Sequence, residues 1–197
     1  MKAINLPIFP LKLVVLPGTL QGLQIFEPRY LNMVKQCMSN ASNFVISYKS
    51  DRFDDFDFGI EKVGTSVQIV DFNNLPNGLL GITVKAESKV SLNNIIQLED
   101  ESYLGEVLPL TEPEVDDQSL LAKYPDLIEV LVKLKEHPEI KTLQLDIDLD
   151  SADSVSYHLG NLIPLTADEK QTLLTAFDAD QRFKICLLYT SPSPRDS

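Results

Sequence analysis

Cysteine and histidine are almost absent from this chain of 197 residues, which holds two of each. His137 and His158 stand far apart, and neither has a cysteine or histidine at ligand spacing, so the sequence offers no zinc-type site. Other chemical signatures are missing as well. There is no GxxxxGK[ST] loop for a nucleoside triphosphate and no GxGxxG fingerprint for a dinucleotide. No serine sits in a nucleophile elbow. Asp146, Asp148, Asp150 and Asp153 resemble a calcium loop only superficially, because the central glycine and the closing glutamate are lacking. They read instead as a strand or extended segment entering a helix capped by Asp150 or Ser151. The sequence therefore points to no catalytic residue, no cofactor and no metal.

Long apolar runs are also lacking. No window approaches the ~20 apolar residues of a membrane span. The first residues hold one lysine, Lys2, and their apolar stretch is broken by Pro7 and Pro10, unlike a secretory signal. A cytoplasmic protein is the expectation. Positive charge is scarce. The formal net charge is -12, and no Lys or Arg occurs from Val90 to Ala122, where eight acidic residues lie. An acidic field repels phosphate backbones, which disfavours nucleic acid as a partner. The acidic stretch reads either as solvated loops and strand ends or as a surface for basic partners.

The end of the chain stands apart. Cys186 to Asp196 resembles a translated reading frame of transposon-adapter DNA from a sequencing library. The other reading is a flexible tail rich in serine and proline. On the first reading residues 186–197 are an artefactual tail, the natural chain is interrupted near Ile185, and Cys37 remains as the one cysteine. A lone cysteine forms no internal disulfide, which fits a reducing compartment.

The first half reads as β. Leu6 to Leu16 is apolar and punctuated by prolines, giving one or two short strands closed by a turn at Pro17–Gly18. Leu20 to Phe26 gives another. Pro28 then suits a first helical position, and Tyr30, Leu31, Val34, Cys37 and Met38 share one helical face. Cys37 accordingly reads as core, with nothing nearby to lower its pKa. Phe44 to Tyr48 is a strand. A hairpin follows, with Val67, Ile69 and Phe72 on one arm, Ile82, Val84 and Ala86 on the other, and Asn77–Gly78 in the loop. Val90 to Leu98 and Tyr103 to Leu108 read as two further strands.

Between these strands and helix lies an unusual loop, Asp51 to Gly59, in which Phe53, Phe56 and Phe58 sit among four aspartates. Phe58, with Phe56, either packs back on the β domain or belongs to an apolar lip for a partner. Beyond the polar stretch Thr111 to Gln118 the chain turns helical. Leu127, Ile128, Leu131 and Leu134 mark one helix, stopped near His137–Pro138. His137 reads as a surface residue and His158 as the flank of another helix, marked by Val155, Leu159 and Leu162. Thr166 with Glu169 forms a capping-box pattern, and Asp178 with Gln181 repeats the signal. The organisation expected is a β domain at 1–112, a linker at 113–118 and a helical bundle at 119–185.

Three segments carry a family resemblance: Leu6 to Leu11, Val15 to Gly18, and Leu23 to Tyr30, which ends in Phe26, Glu27, Pro28, Arg29 and Tyr30. Together they resemble the opening of the Lon N-terminal domain family, found at the front of Lon proteases and in small stand-alone proteins. The likeness extends through Gly64–Thr65, Asn77–Gly78, Tyr103 to Val107 and the helical end from Leu159 to Leu174, and so covers residues 4 to 185. It implies an α+β fold: a PUA-like β pseudo-barrel of about six strands plus one helix, followed by a small C-terminal helical bundle. It also implies structural work for the motif. Prolines and Gly18 shape the first strands, Phe26 and Tyr30 anchor the helix, and Glu27 and Arg29 cap or pair locally. The chain departs from the family pattern at Lys85 to Val90, where a glycine that would shape a bulge is missing.

The function implied is recognition of polypeptide in protein quality control, with Phe53, Phe56 and Phe58 as candidate contacts and no catalysis by this chain. Alternatives are the front of a full-length ATP-dependent protease, or a PUA-like module for RNA or a small ligand. The compact helical ending favours a stand-alone member.

Overall fold

A computed structural model describes residues 2–51 and 57–190. The chain divides into two compact units, Met1–Leu110 and Thr111–Ser197.

The first unit is a six-stranded mixed sheet with one long helix. Its elements are β1 (Ile4–Leu11), β2 (Leu20–Ile25), α1 (Pro28–Asn40), β3 (Phe44–Tyr48), β4 (Val63–Asn74), β5 (Leu80–Gln97) and β6 (Tyr103–Pro109). The order across the sheet is β2-β5-β4-β3-β1-β6. The far half of β5 also pairs with β6, from Val90 opposite Pro109 to Gln97 opposite Tyr103. That pairing curls the sheet back on itself as a pseudo-barrel and leaves β2 outside the circuit, so this is not a simple closed barrel.

The two faces of the sheet carry two cores, sorted by the alternation of side chains along each strand. On β1, Ile8 joins Val45, Val90, Leu92 and Val107 inside the curl, with Leu6 partly buried beside them. Its neighbour Phe9 faces the other way, joining Phe44, Ile46, Val67, Ile82 and Val84 under α1. β1 tolerates two prolines because each half borders one neighbour: Ile4 to Ile8 pairs with β6 and Ile8 to Leu11 with β3. Pro7 and Pro10 thus each have a side without ladder partners, where a missing N–H costs nothing.

Helix α1 starts at Pro28 and ends at Ala41, which takes a left-handed cap with its N–H on Cys37 O. Tyr30, Met33, Val34 and Cys37 are buried against the sheet, whereas Met38, expected on the same face, is 40% exposed. Phe26 also departs from expectation. It is 64% exposed and anchors nothing; Tyr30 alone does so. The chain turns at Glu27, between the end of β2 and α1, and this leaves Phe26 on the solvent side.

The second arm of the hairpin and the strand expected at Val90 to Leu98 are one strand, β5, of 18 residues. Polar Lys85 to Lys89 hid this continuity. The missing glycine there does not remove the irregularity: Ser66 faces Ser88 and Val67 faces Ala86, so Glu87 is the extra residue of a bulge. At the hairpin loop Gly78 has φ +78, which only glycine adopts without strain, and its N–H donates to Leu75 O at 2.9 Å.

The second unit holds α2 (Asp117–Leu121), α3 (Pro125–Glu136), α4 (Pro138–Lys141), α5 (Ala152–Leu162), α6 (Ala167–Leu174) and α7 (Ala179–Thr190). Leu127, Leu131, Val155, Leu159, Leu173 and Phe183 form its core. The capping box of Thr166 and Glu169 is complete, and Asp178 Oδ1 accepts from Gln181 N–H at 3.0 Å. Ser151, not Asp150, caps α5, and the acidic segment before it forms no strand. His158 is buried rather than on a flank, its Nδ1 2.7 Å from Ser154 O. The break read after Ile185 falls inside α7, where Cys186 is buried.

Arg182 lies at the centre of this unit, fully buried. Its Nε donates to Ser156 Oγ at 2.9 Å and its Nη1 to Glu112 Oε1 at 2.6 Å, while Nη2 bonds Asp153. Its guanidinium stacks over the Tyr157 ring at 3.9 Å. A buried charge persists only when it is paired and hydrogen-bonded in this way.

Candidate functional site

Of the three phenylalanines singled out in the acidic loop, Phe53 and Phe56 lie outside the described residues. Phe58 sits in a single 3-10 turn, Asp57–Gly59, with φ +61 and ψ +21, a backbone position rare for a bulky side chain. Its ring packs at a tilt on Tyr103, with centroids 5.3 Å apart, yet the residue stays 38% exposed. Phe58 therefore combines both readings of the loop: it packs back on the β unit and still shows a face to solvent.

The sequence did not single out a second surface. Between the C-terminal end of α1 and β4 runs a groove of about 260 Å³, whose lining includes Met38, Ala41, Ile69, Val70, Phe72 and the charged Asp71. Val70 and Phe72 are 49% and 57% exposed. They lie at a register shift, from Ile69 opposite Val84 to Asp71 opposite Thr83, where β4 gains a residue relative to β5. Strict period-two alternation from Val67 and Ile69 would run on to Asp71; across the bulge it is Phe72 that stands opposite Ile82 instead. The groove's floor includes Cys37, whose thiol is pushed up by burial and hydrogen-bonds weakly to Asn43 O. It is core rather than nucleophile.

A smaller hollow, about 110 Å³, lies between the start of α1 and the β1–β6 end of the sheet, lined by residues including Pro7, Arg29, Met33, Leu98, Tyr103 and Leu104. Arg29 is held there by Glu27 at 2.9 Å and donates to Glu101 O at 2.7 Å, its guanidinium over the Tyr30 ring. Glu27 gives α1 no side-chain cap, so this pair orients Arg29 rather than closing the helix.

The larger groove is notable for what surrounds it. No charged residue occurs between Lys12 and Glu27, between Lys35 and Lys49, or between Asp71 and Lys85. Those stretches include β2, the end of α1, and the tip of the β4–β5 hairpin. In a chain of net charge -12 this corner of the first unit is sparsely charged, with Asp71 on the groove's lining and apolar side chains open to solvent. Such surfaces mark sites of interaction. Among the described residues no cluster of His, Cys, Asp and Glu could hold a metal ion, and no helix is long and apolar enough to cross a membrane.

Residues 5–191 match the family model described as the ATP-dependent protease La (LON) substrate-binding domain. The chain belongs to this family. The Lon domain is seen in two similar solved structures. One is a Lon N-terminal domain protein from Xanthomonas campestris, with TM-score 0.72 and 28% identity, covering 96% of this chain and 99% of that one. The other is the N-terminal domain of Mycobacterium avium complex Lon protease, with TM-score 0.72, 18% identity and coverage of 95% and 98%; it shows the shared fold. Among curated proteins, Lon protease 1 of Thermus thermophilus is 28% identical over 92% of this chain. Lon protease of Brevibacillus choshinensis is 21% identical over 93%. The chain spans 24% of the length of each, so it corresponds to their substrate-binding domain and not to their catalytic region.

Proposed function

We propose that this chain recognises unfolded or degron-bearing polypeptide segments in cytoplasmic protein quality control and performs no catalysis itself. The observation that carries this reading is the sparsely charged corner of the first unit, with its largely apolar groove between α1 and β4. An open groove walled by Met38, Val70 and Phe72 suits apolar side chains of an unfolded segment, which a folded protein keeps buried. Family membership supports it. The free, buried thiols of Cys37 and Cys186 accord with a reducing compartment. The acidic charge disfavours nucleic acid as a partner.

Phe53 and Phe56, with the half-exposed Phe58, are proposed as additional contacts. The test is fluorescence anisotropy with labelled, chemically unfolded casein. Met38→Asp with Phe72→Asp is expected to weaken binding at least about tenfold, equivalent to about 1.4 kcal/mol. Phe53→Ala with Phe56→Ala is expected to weaken it less. Unchanged binding in the first double variant removes the groove's role, and unchanged binding in the second removes the loop's. Hydrolysis of casein by the purified chain, with or without ATP, would contradict the non-catalytic reading.

A further inference from the structure

One edge of the first unit's sheet is open. Among the described residues β2 pairs with β5 alone, from Leu20 opposite Lys85 to Ile25 opposite Leu80. Just before it, Thr19 O accepts from Ala86 N–H at 2.9 Å. Backbone groups turn to alternate sides along a strand. Counting on from Thr19, the N–H and C=O groups of Gln21, Leu23 and Ile25 face β5. Those of Leu20, Gly22 and Gln24 face away from it. The Gln21 side chain donates to Gly22 O at 2.9 Å, a local cover for one outward carbonyl.

Folded proteins guard such edges with charges, prolines or bulges, because an open row of backbone donors and acceptors templates a new strand. β2 carries no charged residue and no proline. Leu20 is 45% exposed and Phe26, just beyond the strand, 64%. At Gly22 an added Cβ would meet nothing within 4 Å, so the exposed face has room for an incoming side chain between Leu20 and Gln24.

We propose that the open edge of β2 takes up an extended, uncharged segment of a client polypeptide as an additional strand. This deepens the reading above and rests on it. Alternating outward N–H and C=O groups are matched by extended backbone, which an unfolded client supplies irrespective of its sequence. The rival occupant is a second copy of this chain. Two copies, each of net charge -12, repel, whereas an uncharged client segment meets a neutral edge without that cost.

The edge is tested on the full chain with a labelled, uncharged peptide of about ten residues that alternates valine with threonine, long enough to pair along β2. Gly22→Pro removes an N–H that the β5 ladder does not use, and proline is tolerated at such edge positions. Gly22→Ala keeps the N–H and serves as the control. The expected result is a loss of peptide affinity of at least about tenfold in Gly22→Pro, near wild-type affinity in Gly22→Ala, and the same loss when the peptide is N-methylated at alternate residues. Amide exchange at Leu20, Gly22 and Gln24 should slow on adding peptide. If Gly22→Pro, still folded by circular dichroism, binds as wild type does and those amides stay unprotected, strand addition at β2 is overturned while polypeptide recognition stands. If wild type binds neither this peptide nor unfolded casein, both fall. If the amides are protected without peptide, in proportion to protein concentration, the occupant is a second copy and the proposal is overturned.

Discussion

Tyr30 lies flat on Phe9, with ring centroids 4.2 Å apart and planes 7° from parallel. With buried Met33, Val34 and Cys37, this stack joins α1 to the sheet. Phe9 also meets Phe44 at 6.3 Å, so the aromatic contact reaches from β1 to β3. Aromatic pairs of this kind add to the free energy of burial itself. Tyr30→Ala is therefore expected to destabilise the first unit by about 3–5 kcal/mol, read as a shift in denaturant midpoint. A loss below about 1 kcal/mol would contradict the anchoring role.

The same residue sets a pH dependence. Burial pushes the Tyr30 phenol up to about 12 from its ordinary value near 10. Burial, with the hydrogen bond from its hydroxyl to Asp180, pushes Tyr124 in the second unit to about 12 as well. In each case the folded chain holds a proton that the unfolded chain releases first. The stabilisation is fully present below about pH 10 and is lost between about pH 10 and about pH 12. Denaturant midpoints measured across that window should fall, and the fall should be shallower in Tyr124→Phe.

Gly64 and Gly105 make a contrasting pair. A Cβ at Gly64 would stand 2.7 Å from the backbone oxygen of Ile46, which cannot yield without moving β3. At Gly105 the nearest atom is Ile8 Cδ1, also at 2.7 Å, the free end of a side chain. Gly64→Ala should cost about 1–3 kcal/mol and Gly105→Ala less. Thermal melts of the two variants, compared directly, decide the order.

Around Arg182 the two carboxylates are unequal. Glu112 is largely buried, whereas Asp153 is more open; burial and the neighbouring Glu112 and Asp117 lift the Asp153 carboxyl despite Arg182. Glu112→Gln should cost about 2–3 kcal/mol, since it removes the buried partner of a buried charge. Asp153→Asn should change stability by less than about 1 kcal/mol, since it also relieves repulsion among acidic groups. Chemical denaturation of both variants checks this; equal losses would contradict it.

The sequence made the fold legible where local rules act alone. Pro28 opened α1, the period of Tyr30, Val34 and Cys37 set its buried face, and Thr166 with Glu169 capped α6. It was less legible where long-range pairing decides. The β5 strand read as two because its polar middle, Lys85 to Lys89, crosses from the β2 side of the sheet to the β6 side. Phe26 looked like an anchor, but its direction depends on the turn into α1. Arg182 gave no signal, because its partners lie 26, 29 and 70 residues away. The groove was hidden because Val70 and Phe72 lie at a register shift in β4, where the alternation set by Val67 and Ile69 breaks. The low charge around it, by contrast, can be read directly as uncharged stretches flanking Lys12, Lys49 and Lys85.

Hydrogen–deuterium exchange of the full chain, with unfolded casein and with a natively folded globular protein, tests polypeptide recognition most directly. The prediction is slowed exchange in β2, the end of α1 and the β4–β5 hairpin with unfolded casein, and no change with a natively folded globular protein. Exchange unaltered in the first unit at saturating unfolded casein would contradict it.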